Sequence, residues 1–297
     1  LTASLLESGE AVFVSNEERR DKMNQSFSGR AAQADQTDYL FSVLCIICVL
    51  DLLTLPLLVI ASVFWIKKKE LPFLGGGFST KLNLKKLAQI LLLAVSGSAI
   101  GLVGQQCCQQ LVRWTGLANP IATDAGFGKE LLVAAVTGFV MELAFRRCLY
   151  DEWSRYGILP AMLGSGLLTM MLSSVPEWPG ALLLGLCAAM IYQVTGCLVM
   201  TAVFHISFLT APLLAIYSAD AAALLSTPAI LLLLAVGIAG CWLSLKLSPN
   251  WKNTCQTIAV QQKNSRKHPY VFRVSYNFFL VVLLIFQTMP LWVGRML

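Results

Sequence analysis

Asp51, Glu142, Arg146 and His205 stand inside long apolar stretches of this sequence, with Arg147 next to Arg146. Ionisable groups at membrane depth are costly, and they mark either chemistry or buried pairing. Glu142 and Arg146 lie in GKELLVAAVTGFVMELAFRRCLY and are four apart. They therefore share one helical face, with the acid first, which is the favoured order. Two readings stay open for them. One is a structural ion pair that keeps a charged helix in a bundle. The other is a catalytic carboxylate held by an arginine. Arg147 points elsewhere, near the end of its apolar stretch, where a long side chain can snorkel. His205 can take up a proton or bond a neighbouring helix. Spacing alone does not bring it beside Glu142.

The elements that must position these groups are hydrophobic. Of 297 residues, 57% are hydrophobic and only 13% are charged, against about 25% charged in ordinary soluble chains. Mean hydropathy is +0.69. This composition excludes a cytosolic enzyme, a disordered chain and a nucleic-acid binder. The fold class it implies is an all-α polytopic membrane protein. Taking roughly 20 apolar residues per span, eight spans are expected: 39–66, 87–112, 129–149, 157–175, 180–193, 196–216, 228–247 and 274–292. The fifth is short and extends into the flanking loop or is buried in protein. Pro56, Pro160 and Pro212 fall in or near spans, where neighbouring helices can satisfy the freed carbonyls.

Charge sets the orientation. Lys67, Lys68, Lys69, Lys81, Lys85 and Lys86 crowd one loop, and Lys252, Lys263, Arg266, Lys267 and Arg273 another. Both basic loops are expected in the cytoplasm, together with Arg146, Arg147 and Arg155. Residues 1–38 form a polar tail with seven acids and four bases, which suits an extracytoplasmic N-terminus. The tail carries no signal-peptide pattern and reads as a trimmed precursor or a shortened chain. Residues 39–297 read as one transmembrane helical domain. The expected location is the bacterial cytoplasmic membrane.

Other residue patterns carry little chemistry. Eight of the nine cysteines fall in or at the ends of apolar segments as small hydrophobes, and Cys45-x-x-Cys48 sits in a run of Leu, Ile and Val. The two histidines, His205 and His268, suggest no metal site. No Walker motif or GxGxxG after a strand occurs, so no cofactor is expected. In Gln105-Gln106-Cys107-Cys108-Gln109-Gln110, Gln106 and Gln110 share a face, as do Gln105 and Gln109. These amides read as interfacial hydrogen-bonding groups or as contacts for a partner chain. Asp51 reads either as a polar contact to a neighbouring helix or as a protonated, neutral acid.

From about residue 85 to 216 the chain resembles the CAAX-protease and bacteriocin-processing membrane family, also called Abi or type II CAAX prenyl endopeptidase. Met141-Glu142-Leu143-Ala144-Phe145-Arg146 occupies the place of its first motif, two glutamates, three residues, then arginine. Tyr192 and Thr195-Gly196 resemble the run before its last motif, whose histidine is matched by His205. The resemblance implies a helical intramembrane-protease bundle. It also implies that Glu142, Arg146 and His205 are the catalytic residues if the protein is active. Three motif positions depart from the family. The first glutamate falls on Met141, the histidine of the second motif on Ser174, and the asparagine of the last on Leu209. Glu142, one position from Met141, is turned by about 100° around a helix axis.

These departures lead to the expectation of a non-catalytic family member, a partner-binding scaffold or regulator in a membrane complex that hydrolyses no peptide. Its partners would be another integral membrane protein, lipids, or a peptide in the groove, and no nucleic acid. The alternative is a glutamic endopeptidase that cleaves a peptide or prenylated protein with Glu142 and His205. A transporter or channel ranks third.

Overall fold

The computed structural model describes residues 54–75, 84–116, 126–154, 158–217 and 227–264. The tail 1–38, Cys45, Cys48, Asp51, His268 and the span at 274–292 lie outside the described residues. So does the first part of the span at 39–66.

All elements among the described residues are helical. In chain order they are α1 (Thr54–Lys68), α2 (Leu84–Thr115), α3 (Phe127–Glu142), a π-helical segment (Leu143–Tyr150) continued by a single helical turn (Asp151–Trp153), α4 (Ile158–Met171), α5 (Trp178–Thr195), α6 (Leu198–Tyr217), α7 (Thr227–Leu247) and α8 (Trp251–Asn264). A short 3-10 turn, Val175–Glu177, leads into α5.

The eight-span expectation is not met. Four stretches among the described residues are long and apolar enough to cross a membrane: Leu84–Thr115, Val175–Thr195, Leu198–Tyr217 and Pro228–Leu247. The chain is a helical integral membrane protein. Two of the other expected spans fail for different physical reasons. The one at 157–175 is the 14-residue α4, about 21 Å long at 1.5 Å per residue, short of a hydrocarbon core of roughly 30 Å. The one at 129–149 is long enough, but Glu130, Glu142, Arg146 and Arg147 make it polar, and it changes from α to π geometry after Glu142. The fifth expected span does extend, because the 3-10 turn adds to its start.

Two apolar cores lie on either side of α5. Leu58 and Trp65 of α1, Leu143, Phe145 and Leu149 of the π segment, and Tyr192 of α5 belong to one. Leu93 and Ile100 of α2, Leu184 and Ile191 of α5, and Phe204 of α6 belong to the other. Apolar side chains such as Ile60, Leu91, Leu132 and Leu231 remain exposed, as suits surfaces that meet lipid tails rather than water.

Close backbone packing fixes where α6 runs. Gly97 and Gly101 of α2 are one turn apart, and a Cβ on either would overlap the carbonyl of Phe204 or Phe208 on α6. On the other side of α6, a Cβ on Gly138 of α3 would stand 2.9 Å from Ile206 Cγ1 and 3.3 Å from its backbone nitrogen. Small residues at such crossings let helices approach where no hydrophobic force separates protein from lipid. His205 precedes Ile206, and Glu142 follows Gly138 by one turn. The helix packing therefore sets the site.

Candidate active site

Glu142 ends α3 at the junction with the π segment. π-Bulges are rare and occur often at functional sites. The wider turn buries all eight residues from Leu143 to Tyr150, including both arginines. Glu142 and Arg146 are each 1% exposed and His205 is 5% exposed. Such groups are tolerated in an apolar interior only when paired.

The pairing is specific. His205 Nδ1 lies 2.7 Å from Glu142 Oε1. Arg146 Nε stands 3.5 Å from Glu142 Oε2, an ion pair longer than a hydrogen bond. Arg146 spends its other nitrogens on two neighbouring helices. Nη1 donates to Ser165 Oγ at 2.6 Å, and Nη2 donates to the Gly185 carbonyl at 3.2 Å and to Thr169 Oγ1 at 3.4 Å. Thr201, one turn before His205, stands beside the carboxylate. Its hydroxyl donates to the Leu198 carbonyl. Glu142 Oε2 makes no hydrogen bond among the described residues. One carboxylate oxygen is thus held by the imidazole, while the other keeps its accepting capacity.

Glu142, Arg146 and His205 line a cavity of about 540 Å³, together with Met141, Thr169, Ser173, Leu209 and others. Lys129 also lines it and is exposed, so the cavity reaches the surface at the N-terminal end of α3. A carboxylate, an imidazole and a route for water in one pocket are the parts that acid–base hydrolysis requires. Among the described residues no cluster of three or more His, Cys, Asp or Glu side chains could hold a metal ion.

The three sequence-marked ionisable residues, Glu142, Arg146 and His205, come together, and the three departing positions separate. Met141 and Leu209 line the cavity, as apolar wall. Ser174 does not. It caps the 3-10 turn, where its backbone nitrogen and hydroxyl bond Glu177 Oε2 at 3.1 and 2.7 Å. Ser173 takes the cavity position instead. Arg147 is buried rather than snorkelling. Its Nε donates to the Pro72 carbonyl at 2.8 Å, and it pairs with Asp151 beside the Tyr192 hydroxyl. Sequence reasoning missed Glu177, which reads as a loop charge but lines the cavity; Gln105, singled out in the glutamine run as an interfacial amide or partner contact, also lines it.

The expectation of a non-catalytic scaffold is overturned by the Glu142–His205 pair. The expectation treated Glu142 as rotated away from the working position and His205 as unplaced. Both face the same cavity, because α3 and α6 cross closely at Gly138 and the wall at this level includes both Met141 and Glu142. A purely structural role for one buried acid would not require a histidine at hydrogen-bonding distance on a third element, since Arg146 already neutralises it.

No curated protein and no solved structure matches the chain. Residues 129–211 match the family model described as type II CAAX prenyl endopeptidase Rce1-like. This stretch contains Glu142, Arg146 and His205, and over it the chain is similar to that family.

Proposed function

We propose that the protein is an intramembrane endopeptidase of CAAX type that uses Glu142 and His205. The observation that carries the reading is the buried 2.7 Å contact between them on the wall of a cavity open to the surface. In this reading a water molecule sits between the Glu142 carboxylate and the scissile carbonyl. The Glu142–His205 pair takes a proton from that water as its oxygen bonds the carbonyl carbon. The same proton is then returned to the amide nitrogen as the C–N bond breaks. Arg146 is a positioning residue, since it holds the carboxylate from behind and anchors on α4 and α5.

The substrate class is a peptide segment or a prenylated protein presented in the membrane. The partner is then a second membrane-bound protein, with lipid around the outer helix faces. We place the protein in the bacterial cytoplasmic membrane with the N-terminus outside. Support comes from Lys67 and Lys68 ending α1, Lys85 and Lys86 opening α2, and Lys246 closing α7. Hydrogen bonds from Gln89 to Ser244 and from Leu198 to Leu74 hold these ends on one side of the bundle. That side is cytoplasmic by the positive-inside rule.

The test is cleavage of a quenched-fluorescent prenylated peptide by the purified protein in lipid nanodiscs. Cleavage is expected, with a loss of about 100-fold or more in Glu142→Gln, the scale of a removed general base. Turnover that survives Glu142→Gln unchanged would rule this mechanism out.

A further inference from the structure

The cavity has a second polar wall, and one of its two residues, Gln105, lies outside the stretch 129–211 that matches the family model. Gln105 of α2 lines it and is 6% exposed. Its Nε2 is buried and has no hydrogen-bond partner among the described residues. A buried amide N–H₂ without an acceptor is costly to keep. A site built to hydrogen-bond a ligand commonly carries such groups until the ligand arrives. Glu177 lines the same cavity from the 3-10 turn before α5. Its position is fixed by Ser174, whose backbone nitrogen and hydroxyl bond the Oε2 atom. A carboxylate has four accepting positions in all, so capacity remains beyond those two bonds.

Backbone contact between α2 and α5 brings the two side chains to one wall. A Cβ on Gly104 would stand 3.1 Å from the Gly180 Cα, and one on Gly180 would stand 3.0 Å from the Gly104 Cα. Gln105 follows Gly104, and Glu177 lies one turn before Gly180. The wall thus offers a donor from α2 and an acceptor from the turn before α5 to the same cavity.

We infer that Gln105 and Glu177 form a peptide-backbone subsite, in which Gln105 Nε2 donates to a substrate carbonyl and Glu177 accepts from a substrate N–H. An extended peptide presents both groups in alternation. A diacyl lipid presents ester carbonyls but no amide N–H, and its phosphate would be repelled by Glu177. The subsite positions the chain beside Glu142 and His205, and it rests on the endopeptidase reading for its role in turnover. Its role in binding does not depend on that reading.

The experiment separates the two. Binding of a fluorescein-labelled farnesylated peptide is measured by anisotropy on the full chain in nanodiscs, in parallel with its turnover. Gln105→Leu and the longer, isosteric Gln105→Met are compared with wild type, with folding checked by monodispersity and thermal unfolding. Each is expected to weaken peptide binding by roughly 10-fold, the scale of one buried hydrogen bond and an orphaned partner. KM should rise by a similar factor, with a smaller change in kcat. Peptide binding that depends on Gln105 without any turnover by wild type keeps the subsite and removes the endopeptidase reading. Turnover with binding and KM unchanged in both variants overturns the subsite alone. So does absence of peptide binding by folded wild type. A Gln105 dependence seen only with a fluorescent diacyl lipid would assign the wall to lipid and likewise overturn it.

Discussion

His205 and Glu142 are 63 residues apart in sequence and 2.7 Å apart in space. The contact joins α6 to the last residue of α3, at the point where that helix widens into π geometry. The remaining carboxylate oxygen is left facing Arg146 Nε at a distance too long for a hydrogen bond. An acid held by a histidine on one side and an arginine on the other is oriented without being fully satisfied. That arrangement suits proton transfer better than permanent structural bonding.

Residues that move one proton as a unit give non-additive losses. His205→Gln should reduce peptide cleavage by about 100-fold or more. Adding Glu142→Gln to it should cost little beyond either single change. Single-turnover rates of the two variants and their combination provide the measurement. Multiplied losses would show that the two groups act in separate steps.

Arg146 has a structural share that its partner lacks. Replacing it with Met leaves Glu142 buried without its cation, a loss of about 3–5 kcal/mol for such a pair. Combining Arg146→Met with Glu142→Gln should recover much of the stability. Recovery should stay incomplete, since Ser165, Thr169 and the Gly185 carbonyl lose their donor. Thermal unfolding in detergent reads both effects, and strict additivity of the two changes would argue against coupling.

Local features of the site were legible in the sequence, and its long-range contacts were not. Glu142 and Arg146 are visible as a pair because helical spacing alone brings them to one face. The contact with His205 depends on how α3 and α6 cross, and the Gly97-x-x-x-Gly101 and Gly138 positions that fix the crossing name no partner by themselves. Ser173 lines the cavity and Ser174 does not, because a one-residue step moves a side chain out of the cavity and into a cap, which motif spacing does not reveal. Glu177 sits between Pro176 and Pro179, which read as a loop, although the segment continues into α5 as a capped turn. The apolar runs of α2, α6 and α7 were plain from hydropathy. The run at 157–175 was not a span, since apolarity marks burial and only length marks crossing.

The second polar network predicts a graded response. Arg147 holds the Pro72 carbonyl, Asp151 and the Tyr192 hydroxyl, and Tyr192 also donates to Asp151 Oδ2 at 3.1 Å. Tyr192→Phe removes one hydroxyl and should cost about 0.5–1.5 kcal/mol. Arg147→Met removes the donor to the Pro72 carbonyl and the cation paired with the half-buried Asp151, and should cost more, about 2–3 kcal/mol. Equal shifts in unfolding temperature for the two variants would contradict this ranking.

Gly138 offers the sharpest separation of helix propensity from helix packing. Both Gly138 and Gly128 lie within α3, and exchanging glycine for a residue with a side chain normally favours a helix by reducing backbone freedom in the unfolded chain. At Gly128 nothing stands within 4 Å of an added Cβ. Gly128→Ala should therefore be neutral or stabilise by up to about 1 kcal/mol. At Gly138 the added atom meets Ile206 Cγ1 at 2.9 Å and the Ile206 backbone nitrogen at 3.3 Å. The side-chain methylene can rotate aside, but the backbone nitrogen cannot, so α3 and α6 must separate. Gly138→Val should then destabilise by about 1–3 kcal/mol, as overpacking does. It should also lengthen the Glu142–His205 contact one turn away. A misplacement near 1 Å can cost about 100-fold in rate. Cleavage should therefore fall much further in Gly138→Val than the unfolded fraction accounts for, while Gly128→Ala keeps wild-type activity. Full activity in folded Gly138→Val would mean that the crossing of α3 and α6 does not set the geometry of the pair.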